Sequence, residues 1–249
     1  MLVLLGFAIS LSSFAHGVDD DTRQFLLTNQ GASIIPFMYI GAKHMVAGYD
    51  HLLFLVGVIF FLFSTRDVLV YVSLFTLGHS ITLLYGVLGG INVNPYLIDA
   101  IIGFSIVYKG FDNLGGFKRL LGYQPNTKAA VMIFGLFHGF GLATKIQEFD
   151  LPSDGLIPNI LAFNVGVEIG QFMALGVILI GMSFWRRSAG YLHFSTATNT
   201  LLMSSGLMLM GFQANLAELR LKYNPVKDIR FCLVLLQHKN LLSLNLRNK

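Results

Sequence analysis

The sequence predicts an all-α membrane protein, a polytopic transmembrane helical bundle of about six membrane-spanning helices after an N-terminal signal peptide. Its 249 residues are 54% hydrophobic and 12% charged, which lies outside the usual range of soluble domains. The apolar residues fall in stretches long enough to cross a hydrocarbon core of about 30 Å. The Lys and Arg residues lie mostly between these stretches, as topology signals do.

The charge and the cysteine content limit the classes of function. The formal net charge is +4. Because the basic residues do not form one stripe, they indicate membrane orientation and no nucleic-acid partner. Cys232 is the only cysteine, which excludes an internal disulfide framework and a CxxC metal site. Metal binding would therefore use His, Asp, Glu and Asn side chains.

Residues 1–15 have the features of a signal peptide. An apolar run ends at Ser13, Phe14 and Ala15, which fits the small-x-small rule of a signal-peptidase site. No Lys or Arg precedes the run, so an uncleaved N-terminal helix is the alternative. With this segment the chain has seven hydrophobic segments in all.

The other six apolar segments define a transmembrane domain over residues 34–214. They cover residues 34–63, 68–88, 95–113, 129–146, 160–185 and 191–212. The first is longer than one straight crossing, and we expect a break at Gly48 to divide it. Pro95 suits the first turn of the third helix. Residues 215–249 are predicted to form a polar, basic tail.

Basic residues in the short loops predict the orientation of the bundle. They follow the first, third and fifth segments: Arg66, Lys118, Arg119, Lys128, Arg186 and Arg187. By the positive-inside rule these loops are cytoplasmic, and the mature N-terminus is external. The basic tail disagrees with this orientation, because six crossings place it outside.

The most informative polar cluster is KHMVAGYDHLLFL in the first segment. In a continuous helix His44 and His51 share a face but lie about 10 Å apart, too far for one metal ion. If the backbone opens at Gly48, His44 approaches His51 and Asp50, a set of ligands that suits nickel, cobalt, copper or zinc. The alternative is a structural pair between Asp50 and a neighbouring group.

Three further segments carry isolated ionisable residues. His79 lies near the middle of the second segment, and His138 lies in the fourth among glycines. Either one is a metal ligand or a hydrogen-bonded packing residue. In the third segment Asp99 has no basic neighbour in the sequence and is a candidate ligand, whereas Asp112 has Lys109 three positions earlier.

The fifth segment contains AFNVGVEIGQF, in which Asn164, Glu168 and Gln171 are spaced to lie on one helix face. Such a face is typical of an ion or proton site, and an interhelical hydrogen-bond ladder is the alternative. If the orientation is right, Glu168 and three of the histidines fall near mid-membrane, with His44 and Asp99 nearer the outside. This arrangement predicts a column that opens outward.

The sequence resembles the HupE/UreJ family of hydrogenase and urease accessory membrane proteins. The matching motifs are HxxxGxDHxxFL at residues 44–55, FTLGHSITL, GLFHGFGLA and FNVGVEIGQ. The resemblance implies a multi-pass inner-membrane protein of bacteria that moves or binds nickel, with hydrogenase or urease maturation proteins as partners. The residues carried over are His44, Asp50, His51, His79, His138 and Glu168. Some members have two histidines in the fourth-segment motif, whereas this chain has only His138 there.

Two classes of function follow. The first is a permease or metal-delivery protein for a divalent transition metal, with nickel ahead of cobalt, copper and zinc; its ligands would be His44, Asp50, His51, His79, Asp99, His138, Asn164, Glu168 and Gln171. The second is a membrane-embedded metal-dependent hydrolase with Glu168 as general base. An enzyme is less favoured, because no HExxH or GxSxG motif occurs. A purely structural assembly factor would tolerate every histidine substitution.

Overall fold

The computed structural model describes residues 31–147, 154–188 and 190–223, together with Gln24, and the side chains up to residue 218. These residues form eight helices and contain no strand, which confirms the all-α prediction. The helices are α1 (Ile34–Ala47), α2 (Tyr49–Ile59), α3 (Thr65–Leu88), α4 (Pro95–Asn113), α5 (Gly116–Leu121), α6 (Thr127–Gln147), α7 (Leu156–Arg186) and α8 (Tyr191–Tyr223). The predicted signal peptide and residues 224–249 lie outside the described residues.

Among the described residues, three helices, α3, α6 and α7, are long and apolar enough to cross a membrane. The shorter apolar helices α1 and α2 follow each other across Gly48 and together form the first predicted crossing. Large hydrophobic side chains are exposed on the outside of the bundle, among them Val177 at 73% and Phe184 at 68%. Such a surface suits lipid.

Two boundaries differ from the prediction. Gly115 and Gly122 have φ of 70° and 75°, and they bound the short helix α5 within what the sequence predicts as a loop. Helix α8 continues to Tyr223, past the expected end at residue 212, so the predicted tail begins inside a helix. Residues 213–223 contain no Gly or Pro and several strong helix formers, and Pro225 follows.

The long helices pack as three pairs: α1 with α7, α3 with α6, and α4 with α8. Helices α1 and α7 run parallel, since Gly166 lies against the Met38 carbonyl and Gly170 against that of Ala42. Helices α3 and α6 are also parallel, whereas α4 and α8 are antiparallel. At such positions glycine lets two backbones approach closely.

Hydrogen bonds between helix ends define the two ends of the bundle. At one, Arg186 and the Tyr191 hydroxyl donate to the Phe60 carbonyl, so the end of α7 and the start of α8 meet the end of α2. At the other, Lys145 near the end of α6 pairs with Asp99 near the start of α4, 3.2 Å apart. We call these the Arg186 end and the Asp99 end. Each of the three pairs connects both ends, as in a membrane bundle.

Candidate metal centre

The predicted break at Gly48 separates α1 from α2. Gly48 is extended, with φ −77° and ψ 94°, and helix α2 starts directly after it. A Cβ atom at this position would lie 2.8 Å from His51 Nδ1 and 3.0 Å from the His44 carbonyl oxygen. Glycine is therefore required by the close approach of the two histidines around it rather than by its backbone angles.

The break brings His44 and His51 together. Their ring centroids are 5.2 Å apart, about half of the separation that a continuous helix imposes. Asp50 Oδ1 accepts the backbone N–H of His51 at 2.9 Å and lies 2.9 Å from His51 Nδ1. Since an ionised carboxylate only accepts, this contact favours the proton on Nδ1, and Nε2 is then the nitrogen of His51 with the lone pair that a metal ion requires.

Two other helices add histidines beside His51. The ring of His138 on α6 lies 4.9 Å from that of His51, and the ring of His79 on α3 lies 6.4 Å from it, measured between centroids. All three are at most 2% exposed, whereas His44 is half-buried. We call His44, His51, His79 and His138, with Asp50, the histidine cluster. It unites three segments that are far apart in the sequence.

Aromatic side chains enclose the histidine cluster. Phe75 lies 5.0 Å from His138 and Phe54 lies 5.7 Å from it, between ring centroids. Both are buried. The sequence did not single them out among the many apolar residues, although Phe75 opens the FTLGHS motif and Phe54 is the next-to-last residue of the first motif. Such walls exclude water and strengthen electrostatic interactions inside.

Two buried polar side chains make no hydrogen bond to any described protein atom. They are His79, through both ring nitrogens, and Asn164, through both amide atoms. His79 is 1% exposed and Asn164 is 8% exposed. A buried polar group without a partner is unfavourable by about 1–3 kcal/mol. Both side chains therefore have the capacity to bind a further group.

The other candidates from the sequence lie outside this cluster. Gln171 accepts from the Thr76 hydroxyl at 3.0 Å and donates to the Val72 carbonyl at 3.3 Å. It thus joins α7 to α3, as the alternative of a hydrogen-bond ladder predicts. Asp99 binds Lys145, a partner 46 residues away that the sequence did not indicate. The predicted pair of Lys109 and Asp112 is present, 2.5 Å apart.

Glu168 differs from the expectation, because it is exposed while Asn164 and Gln171 are buried. The spacing places Glu168 about 40° and 60° around the helix from the other two. Helix α1 covers the opposite flank of α7 through Gly166 and Gly170, so Glu168 falls just beyond the rim of the buried face. It does not point into the column that the sequence predicts.

No group of three or more His, Cys, Asp or Glu side chains among the described residues is arranged to hold one metal ion. The spacing of the histidine rings nevertheless fits a metal ion bound between two of them. Two imidazoles bound to one ion at about 2.0–2.1 Å have their centroids roughly 5 Å apart. The pairs of His51 with His44 and with His138 are at this separation, 5.2 Å and 4.9 Å. Two pairs of rings thus have the separation that a shared ion requires, whereas the described residues form no site of three or more such groups.

A family profile described as HupE / UreJ protein matches residues 20–218. The chain belongs to the HupE/UreJ family. The match includes the whole histidine cluster and every long helix except the last turn of α8, and it confirms the resemblance of the motifs. HupE/UreJ membership and the apolar helices together identify a membrane protein of an accessory, permease-like family. No curated protein and no solved structure matches the chain significantly.

Proposed function

We propose that this HupE/UreJ protein is a membrane permease for a divalent transition-metal ion, with nickel as the leading cargo and cobalt, copper and zinc after it. The observation that carries the proposal is the break at Gly48, which gathers the histidine cluster inside an apolar bundle. Neutral imidazole suits these borderline metals, and ionisable groups within a membrane bundle are expensive unless they have a function.

The ion passes from ring to ring. His44 is half-buried and receives the ion from the Asp99 end, which the basic loops predict to be external. His51, oriented by Asp50, takes it next, and the rings of His138 and His79 lie beside that of His51. Conduction requires binding that is weak and divided among several sites. Preformed pairs of imidazoles satisfy this requirement better than a closed site does. Release at the Arg186 end would supply hydrogenase or urease maturation proteins.

A membrane-embedded hydrolase is a weaker candidate. It needs a general base beside the metal, and Glu168 was the residue proposed for that role. Glu168 is exposed, and it is not part of the histidine cluster. Asp50 is the carboxylate in the cluster, and its contact with His51 Nδ1 suits a residue that orients a ligand.

The test is uptake of Ni²⁺ by proteoliposomes that contain the full chain. His51→Ala should abolish uptake, because it removes the ring that contacts the other three. His193→Ala is the matched control, since His193 is exposed on α8 and outside the histidine cluster. Equal uptake by wild type and His51→Ala would contradict the proposal. Parallel assays with Co²⁺, Cu²⁺ and Zn²⁺ identify the preferred cargo.

A further inference from the structure

The pairs α1/α7 and α3/α6 are built from matching contacts. Gly41 of α1 lies against the Phe163 carbonyl of α7, and Gly135 of α6 lies against the Phe75 carbonyl of α3. The reverse contacts match as well. Gly166 of α7 lies against the Met38 carbonyl, and Gly78 of α3 lies against the Met132 carbonyl. A Cβ added at Gly78 would lie 2.5 Å from the Met132 carbonyl oxygen. Thus α1 corresponds to α6, and α3 corresponds to α7.

A third contact follows the same correspondence. Gly170 of α7 lies against the carbonyl of Ala42, and at the equivalent position of α3 the Thr82 hydroxyl donates to the Leu136 carbonyl at 2.7 Å. The register of the two pairs is therefore the same over several turns.

The remaining pair, α4 with α8, is symmetrical in itself. A Cβ added at Gly103 would lie 3.0 Å from the Gly206 carbonyl oxygen, and one added at Gly206 would lie 2.7 Å from that of Gly103. Their next neighbours correspond too, since Gly103 faces Met210 and Gly206 faces Val107. Helix α4 thus corresponds to α8.

The sequence retains traces of this correspondence. IGAKH at residues 40–44 corresponds to FGLFH at 134–138, and FTLG at 75–78 corresponds to FNVG at 163–166. Corresponding helices run in opposite directions, because α1 starts at the Asp99 end and α6 at the Arg186 end. Opposed repeats of this kind are related by a two-fold axis in the membrane plane.

The correspondence relates two histidines of the cluster. His44 follows Gly41 by three positions and His138 follows Gly135 by three, so they are equivalent. Both rings lie beside that of His51, at 5.2 Å and 4.9 Å. The two halves differ in conformation, because Leu142 of the continuous helix α6 occupies the position of Gly48. His44 is half-buried, and His138 is 2% exposed.

We infer that α1–α4 and α6–α8 are two inverted copies of one three-crossing unit, and that His44 and His138 are equivalent ligands that bind the cargo alternately around His51. Exchange of conformation between the copies closes the path at His44 and opens it from His138 to the Arg186 end. The alternation of a metal ion rests on the proposed function, whereas the duplication rests on the contacts alone.

Thiol accessibility tests the alternation. In a Cys232→Ser background, His44→Cys and His138→Cys each keep a metal-binding side chain, and they are treated in proteoliposomes with a membrane-impermeant thiol reagent on one side. Asn92→Cys in the loop at the Asp99 end and Tyr123→Cys at the Arg186 end report the sidedness of the vesicles; both positions are exposed. His44→Cys should react from the Asp99 side only and His138→Cys from the Arg186 side only, with Ni²⁺ slowing both reactions.

The outcomes separate the two proposals. If His138→Cys reacts from the Asp99 side or from neither side, while uptake still depends on His51, the permease stands and the alternation is wrong. If both thiols react from the expected sides but Ni²⁺ protects neither, the inverted alternation stands and the metal cargo is wrong. Monodisperse elution of each variant in detergent confirms that the labelled protein is folded.

Discussion

Gly48 determines whether two histidines of the cluster meet. In Gly48→Ala the added methyl group would lie 2.8 Å from His51 Nδ1, so the His51 ring must shift from its position between Asp50 and His44. We expect Ni²⁺ binding to weaken at least about tenfold, which corresponds to about 1.4 kcal/mol. Equilibrium binding to the purified protein measures this. Gly176→Ala is the control, because nothing lies within 4 Å of a Cβ there. Unchanged affinity in Gly48→Ala would refute the role of the break.

Asp50 acts through His51. Asp50→Asn keeps the size of the side chain and one acceptor oxygen, but it removes the negative charge that lies 2.9 Å from His51 Nδ1. Loss of such an orienting partner costs about 10–100-fold in metal affinity or activity. We expect a decrease of that order in the rate of Ni²⁺ uptake, with Asp67→Asn, an exposed residue at the start of α3, as the matched control. A rate equal to that of the control variant would exclude the orienting role.

At the residue scale, the sequence predicted which polar residues lie in the bundle better than it predicted which way their side chains face. The meeting of His44 with His51 was predictable once Gly48 was taken as a break, because the distance along a helix is fixed. The exposure of Glu168 was not predictable, since it depends on which flank of α7 the helix α1 covers. The partner of Asp99 was not predictable either, because Lys145 is 46 residues away and approaches it only through the packing of α4 on α6.

Among the helices, close contacts between glycine and a carbonyl hold the pairs together. Gly135→Ala places a methyl group against the Phe75 carbonyl, and overpacking of this kind costs about 1–3 kcal/mol. We therefore expect a lower midpoint of thermal unfolding in detergent. Gly181→Ala should instead stabilise by up to about 1 kcal/mol, because nothing lies within 4 Å of its Cβ and alanine favours helix. A Gly135→Ala variant as stable as Gly181→Ala would contradict this packing.

The ion pair of Asp99 and Lys145 joins α4 to α6. We expect Asp99→Asn to lower the free energy of unfolding by about 1–3 kcal/mol, since Lys145 loses a charged hydrogen-bond partner. Ni²⁺ affinity should not change, and Lys145→Met in the same chain should restore part of the stability. Denaturant unfolding and equilibrium binding measure the two quantities. A loss of Ni²⁺ affinity in Asp99→Asn would instead indicate that Asp99 is a metal ligand.

The helix boundaries show which local signals are sufficient. Pro95 starts α4 as expected, and the side chain of Asn94 caps that helix by accepting from Tyr96 and Leu97. Helix α5 was missed because its six residues, GFKRLL, lie in a loop rich in glycine. The long continuation of α8 was missed because hydropathy, rather than helix propensity, was used to place its end.

For the whole molecule, the orientation in the membrane remains a prediction with a direct test. In the Cys232→Ser background and in intact cells, Asn92→Cys should react with an impermeant thiol reagent, whereas Tyr123→Cys should react only after lysis. The reason is that the basic loop residues lie at the Arg186 end, and short basic loops are retained in the cytoplasm. Labelling of Tyr123→Cys in intact cells would show that the bundle has the opposite orientation, and the proposed direction of uptake would then be reversed.

The positions of the apolar helices were predictable from the sequence, but their pairing was not. Apolar length identifies the helices α3, α6 and α7 one at a time. The choice of α7 as the partner of α1, and of α6 as that of α3, depends on glycines that meet carbonyls of distant segments. Except for Gly41, which precedes the first motif by three residues, those glycines lie in the motifs that carry the family resemblance, close in sequence to the candidate ligands. The same short motifs thus specify both the packing and the site.

The length of α7 has a consequence for the lipid around the protein. Its 31 residues extend about 46 Å, well beyond a hydrocarbon core of about 30 Å. Arg186 is fixed at the end of α2 and lies 4.7 Å from the ring centre of Phe63, which sets the depth of that end. The first turns of α7, where Asn159 holds Gly31, then reach the opposite headgroups. Bilayer thickness should therefore determine how far the proposed entrance for the ion, at the Asp99 end next to His44, extends beyond the lipid.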